Sequence, residues 1–356
     1  MEVDELREEA RRNTRGRFEQ WAKNPTCEAN ILSAVHNVRL DKAASAAGLA
    51  PGFGQSPFAI ARGNAFEAGL FTADAAALRA ALERAGVLPA GSRGLLDLRL
   101  RQNGGSRVSG VDAALFETEA WLRAIAADPW QADSIVAAPM VRIPKGVILP
   151  EALLIIDAVA VTVSAEGVRL TVGEIKVFPD RGGHTDPGQL ASARAQAGVY
   201  RHALGLALDH LGLTPRVTAA DDGFLVFTWP GSNAPSVRAR EDLTYQARRA
   251  ERGFARLEEV AQSIVRDDDF AADNPTLIAR VLAAPTDYKE ACLSFCDLAP
   301  RCHSRAMAAD EPSVLGDDVA RILGGMTIAR ALALMAGVAP ADDREADVQR
   351  RLTQAR

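Results

Sequence analysis

The sequence predicts an α/β fold: a helix, three strands, a second helix and a further strand, in the order αβββαβ, with helices added around and within that core. Three observations carry this expectation. Leu153 to Val163 and Val168 to Phe178 are β-rich apolar runs, and the joint between them, Ala165-Glu166-Gly167, is short enough for a hairpin. A helical stretch ending near Gly212 follows the second run. Gly223 to Trp229 is then apolar throughout, as suits a strand buried on both faces.

Taken in order, residues 1 to 48 read as helical with a break at Asn24-Pro25, and Phe18 and Trp21 form the packing face. Ala50 to Pro57 is a Gly/Pro loop, after which Ala61-Arg62-Gly63 opens a helix. Phe71 to Leu88 and Gly110 to Ala127 read as amphipathic helices, separated by the strand-like Gly94 to Leu100 and a turn at Gln102 to Ser106. Trp121 and Trp130 are expected to fill core. Ser134 to Ile148 has β-branched content and a Pro144-Lys145-Gly146 turn, and is the expected first strand beside the run that carries Asp157. Glu241 to Val265 is a helix with Arg248, Arg252 and Arg256 on one face and Arg249 beside them, a phosphate-binding stripe or simply a solvated face. Pro312 to Arg356 forms two or three alanine-rich helices around Gly324-Gly325 and Gly337, a cap on the core or a docking surface for a protein partner. The expected divisions are a helical segment 1–60, a core 61–235 with a helical insertion at about 72–133, a helical segment 236–310, and a helical tail 311–356.

With 356 residues and 48% hydrophobic content the chain can bury a sizeable core. No apolar run is long enough to cross a bilayer and the acidic, Arg-rich start has no signal-peptide core, so the expectation is a cytoplasmic protein without a membrane partner. A net charge of -5 argues against coating nucleic acid through bulk charge, while leaving room for a local basic groove.

The chemistry concentrates between Glu151 and His202. Asp157 sits within an apolar run, where an unpartnered polar group costs roughly 2–7 kcal/mol, so it requires a donor or a cation. Side chains alternate along a strand, which puts Glu174 and Lys176 on one face and Ile175 on the other. If Asp157 shares the first face, two carboxylates and an ammonium meet. A hard divalent cation is the usual resolution of such repulsion, and a plain salt bridge between hairpin strands is the alternative.

These residues resemble the PD-(D/E)XK nuclease superfamily, with Asp157 as the acidic residue of the second motif and Glu174-Ile175-Lys176 as the E-X-K of the third. Gln196-Ala-Gly-Val-Tyr200 is similar to the Q-x-x-x-Y helix of the RecB-like branch, and its spacing puts both side chains on one helix face. The resemblance implies a restriction-endonuclease-like core and metal-dependent DNA hydrolysis, as an exonuclease acting on single-stranded or end-containing DNA, in repair, recombination or antiviral defence. It further implies a magnesium or manganese ion held by Glu67, Asp157, Glu174 and the backbone carbonyl of Ile175, a water positioned by Lys176, and substrate positioned by Gln196 and Tyr200. Glu67 stands in Gly63-Asn64-Ala65-Phe66-Glu67, where the RecB-like G-x-x-x-H segment carries histidine; the alternative is a solvated residue in a first helical turn. A nonhydrolysing nucleic-acid-binding or scaffold subunit of a larger nuclease or helicase complex is the other function class.

Cys27, Cys292, Cys296 and Cys302 are the four cysteines. Four thiolates can hold zinc or an iron-sulfur cluster, and buried unliganded thiols are a third possibility. One distant cysteine followed by a carboxy-terminal trio resembles the iron-sulfur branch of RecB-like nucleases, which includes AddB-type subunits and the CRISPR-associated adaptation exonucleases. That resemblance implies a 4Fe-4S cluster clasping the two ends of the chain. Here three residues separate Cys292 from Cys296, where the family has two.

Overall fold

The computed structural model describes residues 20–354, apart from 51, 53–56, 100–109, 150, 267, 270 and 271. In chain order the elements are α1 (Glu28–His36), α2 (Leu40–Ala46), α3 (Pro57–Leu70), α4 (Ala76–Arg84), β1 (Leu95–Asp97), α5 (Val111–Ala127), β2 (Ile135–Ala137), β3 (Met140–Ile143), β4 (Ala152–Ile155), β5 (Ala158–Ser164) and β6 (Gly167–Pro179). There follow α6 (Pro187–His210), β7 (Val217–Ala219), β8 (Asp222–Thr228), β9 (Pro235–Asp242), α7 (Thr244–Ile264), α8 (Asn274–Ala283), α9 (Ala299–Ala309), α10 (Asp317–Leu323), α11 (Ile328–Met335) and α12 (Asp343–Gln354). The chain divides into two units, one built on Gln55–Arg256 and the other on Gly16–Gly54 with Leu257–Arg356.

The first unit is α/β. Its mixed sheet runs β1-β2-β5-β6-β8-β9, with β7 added beside β6. Strands β5 and β6 are antiparallel from Ala158↔Gly173 to Ser164↔Gly167, as the short joint requires. The connection from β6 to β8 passes through α6, and the two strands are parallel. On one face Ala137, Ala158, Ala160, Ile175, Phe224 and Val226 pack against Phe66 and Leu70 of α3 and Leu78 and Leu82 of α4. Each fully buried Leu there contributes about 2 kcal/mol. Small residues set how closely layers approach: a Cβ at Gly173 would lie 2.2 Å from the Phe224 ring. Helix α6 starts where Asp186 accepts a hydrogen bond from the Gln189 N–H and Pro187 occupies the first turn.

The second unit brings α1 and α2 together with the helices that follow Leu257. Leu32, Leu40, Ala43 and Ala44 from the amino-terminal helices bury against Leu277, Val281 and Leu298. The tail forms α10, α11 and α12, with Leu323, Ala331 and Val348 as its buried centre.

Several expectations need correction. The run Leu153 to Val163 is not one strand: β4 pairs β3 in a separate two-stranded sheet, β5 joins the main sheet, and Asp157 lies at the bend between them. Ser236–Asp242, expected to open the helical segment 236–310, belongs to β9 and pairs with β8, because the loop after Trp229 is short enough to return the chain antiparallel. The helix expected from Phe71 to Leu88 is confined to α4, since Ala73, Asp74 and Ala75 adopt positive φ and break it from α3. Trp121 is buried as expected, but Trp130 sits on a one-turn 3₁₀ segment and is 76% exposed. Phe18 and the turn Gln102 to Ser106 lie outside the described residues.

Candidate functional site

Continuing the β5–β6 register by one step beyond Ala158↔Gly173 sets Asp157 opposite Glu174, and opposed residues share a face. The Ile175 N–H donates to Asp157 Oδ2 at 2.8 Å, which fixes the bend against β6. Glu174 is fully buried, and the Lys176 Nζ is ion-paired to its Oε1. Ile175 points the other way, into the core under α3. The register between β6 and β8 shifts between Ile175 and Pro179, so Lys176 begins an irregular stretch, a feature that re-aims side chains beside functional sites.

Helix α6 supplies the other half of the arrangement. The Gln196 Nε2 donates to the Tyr200 hydroxyl at 3.2 Å, and that hydroxyl donates to Asp157 Oδ1 at 3.2 Å. The i to i+4 spacing makes the first contact, and the packing of α6 on β6 makes the second. Gln196 is 5% exposed and Tyr200 is fully buried, so both face Asp157 within the protein. In this arrangement the pair is bonded to a carboxylate inside the protein.

Glu67 lies well inside α3, which begins at Pro57, and is half-buried, so it is no solvated first-turn residue. Burial pushes its carboxyl above the usual range, the Asp157 charge adds to this, and Arg99 and Lys176 oppose it. Glu67 thus shares the electrostatic environment of Asp157 and Lys176. Arg99, just beyond β1, was not singled out by the sequence. Its Nε donates to Asp97 Oδ1 at 2.8 Å and its Nη2 to Asp97 Oδ2 at 2.6 Å, and its guanidinium lies 4.8 Å from the Phe71 ring centre. The available signal was two opposite charges two residues apart in a strand-like run.

The four cysteines line one cavity in the second unit, together with Asn24, Asp287 and Tyr288. Their thiols are free of disulfides. Burial raises Cys27 and Cys302 above the usual thiol range and Cys296 to about 12, and neighbouring cysteines add to each shift. The Asn24 Nδ2 donates to Cys292 Sγ at 3.2 Å and the Lys289 N–H donates to the same sulfur at 3.4 Å. Such N–H donors stabilise negative charge on sulfur. His303 is exposed on α9, with its ring 4.7 Å from that of Tyr288.

Among the described residues, no group of three or more His, Cys, Asp or Glu side chains is placed to hold a metal ion as it stands. Among the described residues, no helix is long and apolar enough to cross a membrane. Comparison with protein families, curated proteins and solved structures finds no match to this chain.

Proposed function

We propose that the chain is a metal-dependent DNA nuclease of the PD-(D/E)XK superfamily, in its RecB-like branch. The observation that carries this reading is that Asp157, at the bend before β5, is bonded to β6 next to Glu174 and Lys176, with Tyr200 of the Gln196–Tyr200 pair donating to Asp157. The succession of α3, then β2, β5 and β6, then α6 and β8 supports the restriction-endonuclease-like αβββαβ core, with β1 and β9 extending the sheet at either side.

The donor set suits a divalent cation. Glu174 is offset by Lys176 and Asp97 by Arg99, and among the described residues no Lys or Arg is ion-paired with Asp157 or Glu67. Magnesium or manganese there would be held by Glu67, Asp157, Glu174 and the Ile175 carbonyl, and would supply an activated water and charge neutralisation at phosphorus. The protein itself contributes preorganisation: Tyr200 and the Ile175 N–H fix the Asp157 carboxylate, while Glu174 restrains the Lys176 ammonium beside the reacting groups. In the second unit, four thiols around one cavity and two N–H donors on Cys292 support a thiolate-bound centre, which we assign as a structural 4Fe-4S cluster.

The test is anaerobic purification followed by assay on end-labelled linear and circular single strands with magnesium or manganese. Metal-dependent shortening of the linear strand with the circle spared is expected. DNA binding without turnover on either substrate would instead favour the nonhydrolysing subunit.

A further inference from the structure

Asp97, Ala137, Ala158 and Gly173 are register partners from strand to strand, so they form one row across β1, β2, β5 and β6. The chain beyond Asp97 therefore leaves the sheet at the end where Asp157 and Glu174 stand. Ala137 and Ala158 lie on the face covered by α3 and α4, and Asp97, in register with them, shares that face and holds Arg99 beside it. Phe71, which follows α3, lies under the Arg99 guanidinium and agrees with this placement. Glu67 approaches from the same helix.

Arg99 is held in two ways, by the two-pronged contact with Asp97 and by the Phe71 ring. Asp97 accepts two of the five guanidinium N–H groups, so three remain outside that fork. A cation already restrained in this way loses little further freedom on gripping an anion, and its planar donors match the oxygens of a phosphate. We propose that Arg99 is a positioning residue that grips a backbone phosphodiester of the nucleic acid beside the bond to be cleaved. This rests on the nuclease reading and specifies how the site engages its substrate.

The experiment compares wild type, Arg99→Gln, Arg99→Lys and Asp97→Asn. Binding of a fluorescent single strand of about 15 nucleotides, without divalent metal, is followed as Kd against salt, and hydrolysis is measured with magnesium or manganese. Arg99→Gln is expected to raise Kd and KM on the order of tenfold, with kcat within a few-fold of wild type. The slope of log affinity against log salt should become shallower by about 0.7, as for loss of one phosphate contact on a single strand. Arg99→Lys should restore the slope while leaving KM raised, because the charge returns without the fork. Asp97→Asn should behave like Arg99→Lys. Wild-type slope and KM in folded Arg99→Gln would overturn the proposal. If that variant does not fold, a wild-type KM in Arg99→Lys does so. A wild type that binds the strand but hydrolyses nothing removes the nuclease reading, and the salt slopes still decide whether Arg99 contacts phosphate.

Discussion

Lys176 and Glu174 are coupled closely enough that changing one alters the stability of the other's environment. Removing the ammonium leaves a fully buried carboxylate with less compensation, a loss of about 3 kcal/mol for one partner of a buried pair. Lys176→Ala is therefore expected to lose both turnover and stability. The double variant Glu174→Gln/Lys176→Met, which removes both charges, should recover most of the stability and remain inactive. Denaturant melts with a turnover assay check this, and a double variant no more stable than Lys176→Ala counts against the pairing. Tyr200→Phe is a milder probe, since it deletes the hydroxyl between Gln196 and Asp157. A cost of about 1–3 kcal/mol is expected from the groups left unsatisfied, with kcat lowered on the order of tenfold as Asp157 loses its restraint. Wild-type turnover in that variant would refute the orienting role.

The elements carry their own predictions. Gly198 lies in α6 between Gln196 and Tyr200, and a Cβ there would sit 2.3 Å from the Gln246 Cβ and 2.8 Å from its backbone carbon. Gly→Ala inside a helix ordinarily gains about 1 kcal/mol, whereas overpacking costs about 1–3 kcal/mol and here meets backbone. The clash is expected to win, so Gly198→Ala should destabilise and lower kcat through movement of the Tyr200 anchor. A stabilised, fully active variant would show that α6 and α7 can separate without consequence. In the tail, Arg330 of α11 forms a two-pronged ion pair with Glu345 of α12, and the Ala341 N–H donates to the same carboxylate. The Arg330 contact and that N–H hold the Glu345 carboxyl at about 2, below its ordinary 4.5. A lowered folded value means that the contribution is complete above the ordinary pKa and is lost as pH falls through about 2. Hydrogen exchange in α11 and α12, taken relative to the intrinsic rate of unprotected amides, should therefore accelerate between pH 5 and pH 2 in wild type. Glu345→Gln should accelerate it at neutral pH and flatten the pH dependence; an unchanged profile would remove the pair as the cause.

At the scale of the whole molecule, Cys27 meets Cys292, Cys296 and Cys302 across most of the chain's length, and α1 and α2 already pack on the carboxy-terminal helices. A thiolate-bound centre would add its ligand-binding energy to the stability of this unit. Cys27→Ala is expected to bleach the broad visible absorbance of an iron-sulfur protein and to lower Tm by several degrees, as removal of the metal should in wild type. Full iron content and an unchanged Tm in Cys27→Ala would restrict any metal centre to the other three cysteines. A colourless protein carrying stoichiometric zinc would replace the cluster with a zinc site.

Local periodicity is what the sequence by itself determined. The two-residue alternation placed Glu174 and Lys176 on one face with Ile175 in the core, the short joint after Ser164 made the β5–β6 hairpin, and the four-residue spacing put Gln196 beside Tyr200. These patterns depend on backbone geometry that neighbouring residues share. Long-range partners were decided only by tertiary structure. Whether Leu153 to Val163 formed one strand or two depended on β3 capturing β4, and the inward direction of Tyr200 depended on how α6 packed on β6. Arg99 reached the carboxylate end of the sheet because β1 joined β2 in parallel register, and Cys27 reached the trio because the amino-terminal helices packed on the carboxy-terminal ones. No local pattern specifies such pairings, because each is stabilised by surface buried between segments far apart in the chain.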